Sequence, residues 1–205
     1  TKTVEPAFGL PAVWISQVQR ARAEELGYTV VEATAVLATH LTELLKANAH
    51  ELVTRQEVNH LLETLKERSP KLVEEVVPAV LKSVDVQKVL HGLLREGVPV
   101  RDLETILEVL GDVGARTKDP ETLVEYVRYA LCRSVVHRLR DERSGKLHAV
   151  ALDPRLEALL VRAIERTETG TYLTLSPASL RRVVDAISRS VERLVVAGHP
   201  PVLVT

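Results

Sequence analysis

A chain of 205 residues that is 45% hydrophobic and 27% charged has the balance of an ordinary globular protein, long enough for one large domain or two small ones. Only 3% of its residues are aromatic, so aliphatic side chains must fill the core. A net charge of -1 supplies no overall field to draw in nucleic acid or anionic lipid, and no run of about 18 apolar residues is present to span a bilayer as a helix.

The opening, TKTVEPAFGLPAVWI, reads as extended pieces around a Pro- and Gly-rich loop, with no strand partner ahead of it in sequence. Ser16 and Gly27 bracket a helix of about three turns, and YTVVE is a short β-prone run. Thr34 can cap AVLATHLTELLKANAHEL, where Val36, Leu37, His40, Leu41, Leu44 and Leu45 share one face, so the spacing predicts a long, half-buried helix. Thr54 and Glu57 form a capping-box pair ahead of a stripe of Leu61, Leu62 and Leu65. Ser69 and Pro70 restart a short helix, and Pro78 closes it or lies just past its end. Ser83 is a cap for the next helix, with Val86, Val89, Leu90, Leu93 and Leu94 on one side and Gly97 as its stop; VRDLETILEVLG repeats the design. Asp119 and Pro120 open one long helix to about residue 142, with Cys132 as a small core residue and His137, Arg138 and Arg140 suited to its negative end.

Beyond Ser144 and Gly145, KLHAVAL reads as a strand and Asp153-Pro154 opens a helix over RLEALLVRAIERTE. GTYLTLSP is a loop or short strand, Ser176-Pro177 opens a helix that Gly198 ends, and PPVLVT begins a last strand. The fold class expected is α+β and predominantly helical, with an all-helical centre between a partial α/β N-terminal part and a truncated α/β C-terminal part. Three regions follow: 1–52, 53–132 and 133–205. The absence of any methionine suggests a chain cut from something longer.

Searching for chemistry returns little. His50-Glu51 opens an HExxH-like string, but Thr54 stands where the second histidine ligand belongs. No phosphate-binding glycine loop, serine-nucleophile motif or paired-cysteine motif occurs, so no catalytic residue, metal site or cofactor is assigned and an enzyme is not expected. Arg181, Arg182, Arg189 and Arg193 lie on one helix, but Asp185 and Glu192 interrupt them and no aromatic stands near, so a solvated face is the better reading than a nucleic-acid stripe. Phe8 and Trp14 are the chain's only Phe and Trp. Pro6, Gly9 and Pro11 hold Phe8 in a defined loop beside Glu5, which suits either a core aromatic or a small amphipathic pocket for a partner.

Five segments, EPAFGLPAVWI, GYTVVEATAVLATHL, AHELVTRQEV, PKLVEEVVP and QKVLHGLLREGVPVRDLETILEVL, together resemble the cytosolic part of the FlhA family of bacterial flagellar export gates (the FHIPEP family). The likeness runs from Thr1 to about Leu131 and persists through LDPRLE, TGTYLTLSP and HPPVLVT. It implies a type III protein-export component with a membrane part in the complete protein, at the inner membrane, and a cytoplasmic part of four subdomains that assembles as a nonameric ring. Residues 1–52 would close the second subdomain and return to the first, 53–132 would form the helical third, which would make the ring contacts, and 133–205 would begin the fourth. The partners implied are flagellar export chaperones carrying late substrates, the ATPase complex and a companion export-gate protein. The family's chaperone pocket maps onto Glu5, Phe8 and Thr39, with Leu10, Val31 and Val36 at its apolar positions; Glu5 stands where the family has Asp, keeping the charge but adding a methylene of reach. The homologous export gate of virulence injectisomes is the near alternative, and the PAFGLPAVWI segment favours the flagellar branch. A helical enzyme fragment would instead bring a perturbed acid or histidine cluster to a deep pocket, and a nucleic-acid module a steeply salt-dependent affinity for DNA.

Overall fold

The computed structural model describes residues 1–167 and 170–205, as two compact units, Thr1–Cys132 and Arg133–Thr205. The fold is α+β and predominantly helical.

After α1 (Arg20–Glu25), α2 (Ala33–Ala47) and α3 (Ala49–Leu52), five consecutive helices build the core of the first unit: α4 (Arg55–Arg68), α5 (Pro70–Val76), α6 (Ser83–Arg95), α7 (Leu103–Gly114) and α8 (Pro120–Ala130). Each begins where a side chain or a proline deals with the unpaired N–H groups of a first turn. Thr54 accepts from Glu57 N at 3.2 Å, Asp102 from Thr105 N at 3.2 Å and Asp119 from Thr122 N at 2.9 Å, while Pro70 and Pro120 occupy the first turns of α5 and α8. Ser83 is not the cap expected of it. The cap position belongs to Lys82, because the Asp85 carboxylate reaches back to its N–H at 3.1 Å and sets the helix start one residue earlier. Gly97, at φ +69°, supplies the left-handed stop after α6, so that Val98 N can return to Leu93 O at 2.8 Å.

Apolar side chains at three- and four-residue spacing then meet. Val86, Val89, Leu90 and Leu93 of α6, Ile106, Leu107 and Leu110 of α7, and Val127 of α8 are fully enclosed. Among the described residues every buried hydrophobic except Ala163 lies between Val58 and Leu131.

Gly92 lets α6 and α8 approach: a Cβ there would fall 2.5 Å from Val124 Cγ2. Helix propensity favours Ala over Gly by about 1 kcal/mol, whereas overpacking a filled core costs about 1–3 kcal/mol, so the steric effect wins. Gly92→Ala should therefore destabilise the unit by about 1 kcal/mol in urea titrations, and the same change made on Val124→Ala should be neutral or stabilising.

The long helix expected from residue 121 to 142 is broken. The chain turns at Leu131 and resumes as α9 (Cys132–Leu139). Leu131, only 3% exposed, fills the core where Cys132 was expected, and Cys132 is exposed. The larger apolar side chain takes the enclosed place, and the turn there makes this possible.

No residue of 1–52 is buried. Strands β1 (Lys2–Val4) and β2 (Pro11–Val13) pair antiparallel, Lys2 opposite Val13, so the opening pieces partner each other. A 3₁₀ turn (Gln17–Gln19) leads into α1 (Arg20–Glu25), with Gln19 Oε1 accepting from Ser16 N, and Gly27 follows as the stop at φ +81°. YTVVE forms no strand, since no partner pairs with it among the described residues. It leads instead to α2 (Ala33–Ala47), whose cap is Glu32 and not Thr34; Glu32 is ion-paired to Arg20. The side-chain hydrogen bond and charge of Glu24, together with the charge of Glu32, hold the Arg20 guanidinium above its ordinary pKa. The half-burial expected for α2 is not found. Leu37, Leu41, Leu44 and Leu45 are exposed, and the half-buried line is Val36, Thr39, His40 and Glu43, because nothing in the unit covers the leucine stripe. Asn48 ends α2 by donating to Leu44 O at 2.8 Å, and α3 (Ala49–Leu52) follows.

In the second unit, β3 (Val150–Ala151) pairs parallel with β6 (Leu203–Val204), the crossover carrying α10 (Pro154–Arg162), the antiparallel pair β4 (Ile164–Thr167) and β5 (Gly170–Leu173), and α11 (Pro177–Val196). Asp153 and Ser176 cap α10 and α11 through Arg155 N and Ser179 N. The helix expected to run to Glu168 ends at Arg162; Ile164–Thr167 is strand because β5 offers its backbone a partner, and Glu168 lies outside the described residues. The Ser144 N–H at 2.6 Å, and its side chain, hold the Asp141 carboxyl below the usual carboxylate range.

Candidate docking site

The β1–β2 connection is closed by one side chain. Glu5 N donates to Leu10 O at 2.8 Å and Glu5 O accepts from Gly9 N at 2.9 Å, with Gly9 left-handed at φ +69°. The Glu5 carboxylate folds back over its own loop, Oε1 accepting from Ala7 N at 2.9 Å and Oε2 from Phe8 N at 2.7 Å. Both oxygens are thus engaged within the loop, although a carboxylate has lone pairs to spare. This organising role was not read from the sequence. The signal available was an acceptor directly before Pro6 with Gly9 four residues on, the chemistry of a side-chain-closed turn.

The closed loop holds Phe8 outward at 62% exposure, with Leu10 and neighbouring Val4, Val13 and Trp14 also exposed. The reading of Phe8 as a core aromatic is therefore excluded. Several exposed apolar side chains gathered on and around a short two-stranded hairpin are of the kind that mark interaction sites. The other candidate residues lie around α2: Val31 exposed just before it, and Val36 and Thr39 half-buried on one face a turn apart. The structure brings Glu5, Phe8 and Leu10 together in one loop and Val36 and Thr39 on one helix face. No hydrogen bond or ion pair joins the two groups among the described residues.

A second arrangement lies where α3 meets α6. Val53 O accepts from Gln87 Nε2 at 3.0 Å and from His91 Nε2 at 2.7 Å, and the His50 ring stands edge-on to that of His91 with centroids 6.5 Å apart. Nothing local in the sequence signals this cluster, since its members come from segments nearly forty positions apart. In the second unit the rings of His148 and His199 stack at 3.7 Å. Among the described residues no group of three or more His, Cys, Asp or Glu could hold a metal ion, and no helix is long and apolar enough to cross a membrane. The arginines of α11 lie on an exposed face.

The chain is 44% identical to the flagellar biosynthesis protein FlhA of Bacillus subtilis (strain 168) over 193 residues, 94% of this chain and 28% of that protein. It superposes on the Chlamydia pneumoniae CdsV protein with a TM-score of 0.77 at 29% identity, covering 89% of this chain and 53% of that one. On the nonameric EscV cytosolic domain from the type III secretion system the TM-score is 0.69 at 27% identity, covering 92% of this chain and 62% of that one. The chain spans little more than a quarter of the length of the curated relatives it matches. The FHIPEP family profile matches residues 1–205 without remainder, and on this agreement of sequence and fold the chain belongs to the FHIPEP family.

Proposed function

We propose that this chain is part of the cytoplasmic docking platform of a flagellar type III export gate, capturing export chaperones loaded with late substrates and passing the cargo towards a membrane channel. The observation that carries the reading is Phe8, held in the open by a loop that the Glu5 carboxylate closes. A rigidly presented aromatic on an apolar surface is an anchor for a partner's side chain, and its rigidity limits the ordering cost of binding. The proposed seat takes Leu10, Val31 and Val36 as its further apolar positions and Thr39 as a hydroxyl at its edge. Glu5 acts chiefly on the loop and lends the seat its charge.

Identity to the Bacillus subtilis flagellar protein exceeds that to the injectisome-type structures, which supports the flagellar branch. The nonameric state of the EscV domain supports a ring. In the proposed arrangement residues 53–132 are the helical third subdomain, 1–52 end the second and return to the first, and 133–205 begin the fourth. The complete protein would sit in the inner membrane with this part on the cytoplasmic side, near the ATPase complex and a companion gate protein. Docking, not bond-making, is its task.

The test is calorimetric titration of the chain with a flagellar chaperone bound to a filament-type substrate. Saturable binding of defined stoichiometry is expected. A flat titration at tens of micromolar, with the chain folded by circular dichroism, overturns the reading.

A further inference from the structure

Helices α5 and α7 are tied together at both ends and leave a groove between them. At one end Ser69 Oγ donates to Glu104 Oε1; at the other Lys118 Nζ donates to Val80 O and, at 2.6 Å, to Gly114 O. Midway the helices close on a glycine, where a Cβ on Gly111 would fall 3.0 Å from Val76 Cγ2. A groove held in this way has its shape before anything enters it, which limits the ordering cost of binding. It measures about 510 Å³ and is open to solvent.

The lining divides by chemistry. Leu72 and Val80 stand half-buried beside the enclosed Val76, a partly exposed apolar floor. Glu75 of α5 and Glu108 and Asp112 of α7 form the rim, and all are exposed. Glu108 and Asp112 sit one turn apart on α7, where like charges repel. Nearby carboxylates have found cations: Glu74, next to Glu75, is paired with Lys66, and Glu96 with Arg128. Among the described residues no ion pair or hydrogen bond reaches the side chains of Glu75, Glu108 or Asp112. The ammonium of Lys118, at the end of the groove, is taken up by backbone carbonyls. Nor do the rim carboxylates converge on one point, since among the described residues no group of three or more His, Cys, Asp or Glu could hold a metal ion. Separated negative charges along an apolar trough match separated cations. Lysines or arginines four residues apart on a helix, flanking its apolar side chains, supply that pattern.

We propose that the α5–α7 groove is a docking site for a cationic amphipathic helix of a partner protein. An apolar side chain of that helix seats between Leu72 and Val80, while its Lys or Arg residues meet Glu75, Glu108 and Asp112. The site shares no residue with the Phe8 loop, so it stands or falls separately from chaperone capture.

The test uses the full chain and two short helical peptides. One carries lysines four residues apart beside a leucine stripe, and the other has serine in place of each leucine. Fluorescence anisotropy should show saturable binding of the leucine peptide and at least about tenfold weaker binding of the serine peptide. Glu75→Gln, Glu108→Gln and Asp112→Asn together, all at exposed positions, should weaken the leucine peptide about tenfold and leave thermal unfolding unchanged. The same loss of charge made by Glu63→Gln, Glu125→Gln and Glu142→Gln, exposed and outside the groove, should leave the affinity unchanged. Amide NMR shifts caused by the peptide should centre on 72–80 and 108–112. Equal binding of the two peptides, equal weakening by the two triple variants, or shifts centred on the Phe8 loop would overturn the proposal. So would self-association of the chain that the groove variant abolishes, because the occupant would then be a second copy.

Discussion

If Phe8 anchors a chaperone–substrate complex as proposed, Phe8→Ala should weaken that binding about thirtyfold or more and leave the thermal unfolding of the chain unchanged. Truncating a central aromatic anchor typically costs about 2 kcal/mol or more of binding free energy, which is the thirtyfold. Stability is spared because the side chain is 62% exposed and lies outside the enclosed core. The loop also survives, since Glu5 closes it through the backbone N–H groups of Ala7 and Phe8, which the substitution retains. Titration of the variant beside the parent measures the change. Equal affinities would mean that partner binding, if present, uses another surface.

Leu107→Ala has the opposite profile. Leu107 is fully enclosed in α7, against helices whose facing side chains are equally shielded, so the loss combines transfer free energy with an unfilled cavity and amounts to about 2–5 kcal/mol. Leu41→Ala, on the exposed stripe of α2, should stay within about 0.5 kcal/mol. Urea denaturation followed by circular dichroism separates the two. Because the chain forms two compact units, the loss should fall on the transition of the first, leaving that of Arg133–Thr205 in place. Equal losses for the two leucines would contradict the assignment of the core.

The helical layer was legible because its signals are local. Thr54, Asp119, Asp153 and Ser176 sit where their side chains reach an N–H two or three residues on, and of the residues the aliphatic spacing of α6 names, Val86, Val89, Leu90 and Leu93 end up enclosed and Leu94 half-buried. The misplaced features depend on partners. Periodicity collected Leu37, Leu41, Leu44 and Leu45 onto one face of α2 but carries no information on whether anything lies over that face. IERT reads as helix until β5 offers it a ladder, and YTVVE reads as strand although no ladder comes. At the candidate site, spacing placed Phe8 in a rigid loop but left it balanced between core and surface, and the coordinates decide for the surface. What Glu5 does there, accepting from the N–H groups of Ala7 and Phe8, is written only faintly in the sequence, as an acceptor before Pro6 with Gly9 four residues on.

The parallel pairing of β3 with β6 sets an order of events during synthesis. The helical layer draws its contacts from stretches close together in the chain and can consolidate as soon as α8 has left the ribosome. Val150 has to wait for Leu203, which is translated only after α10, the β4–β5 pair and α11. The enclosed side chains of α4 to α8 can thus come together while β3 still lacks the strand it pairs with.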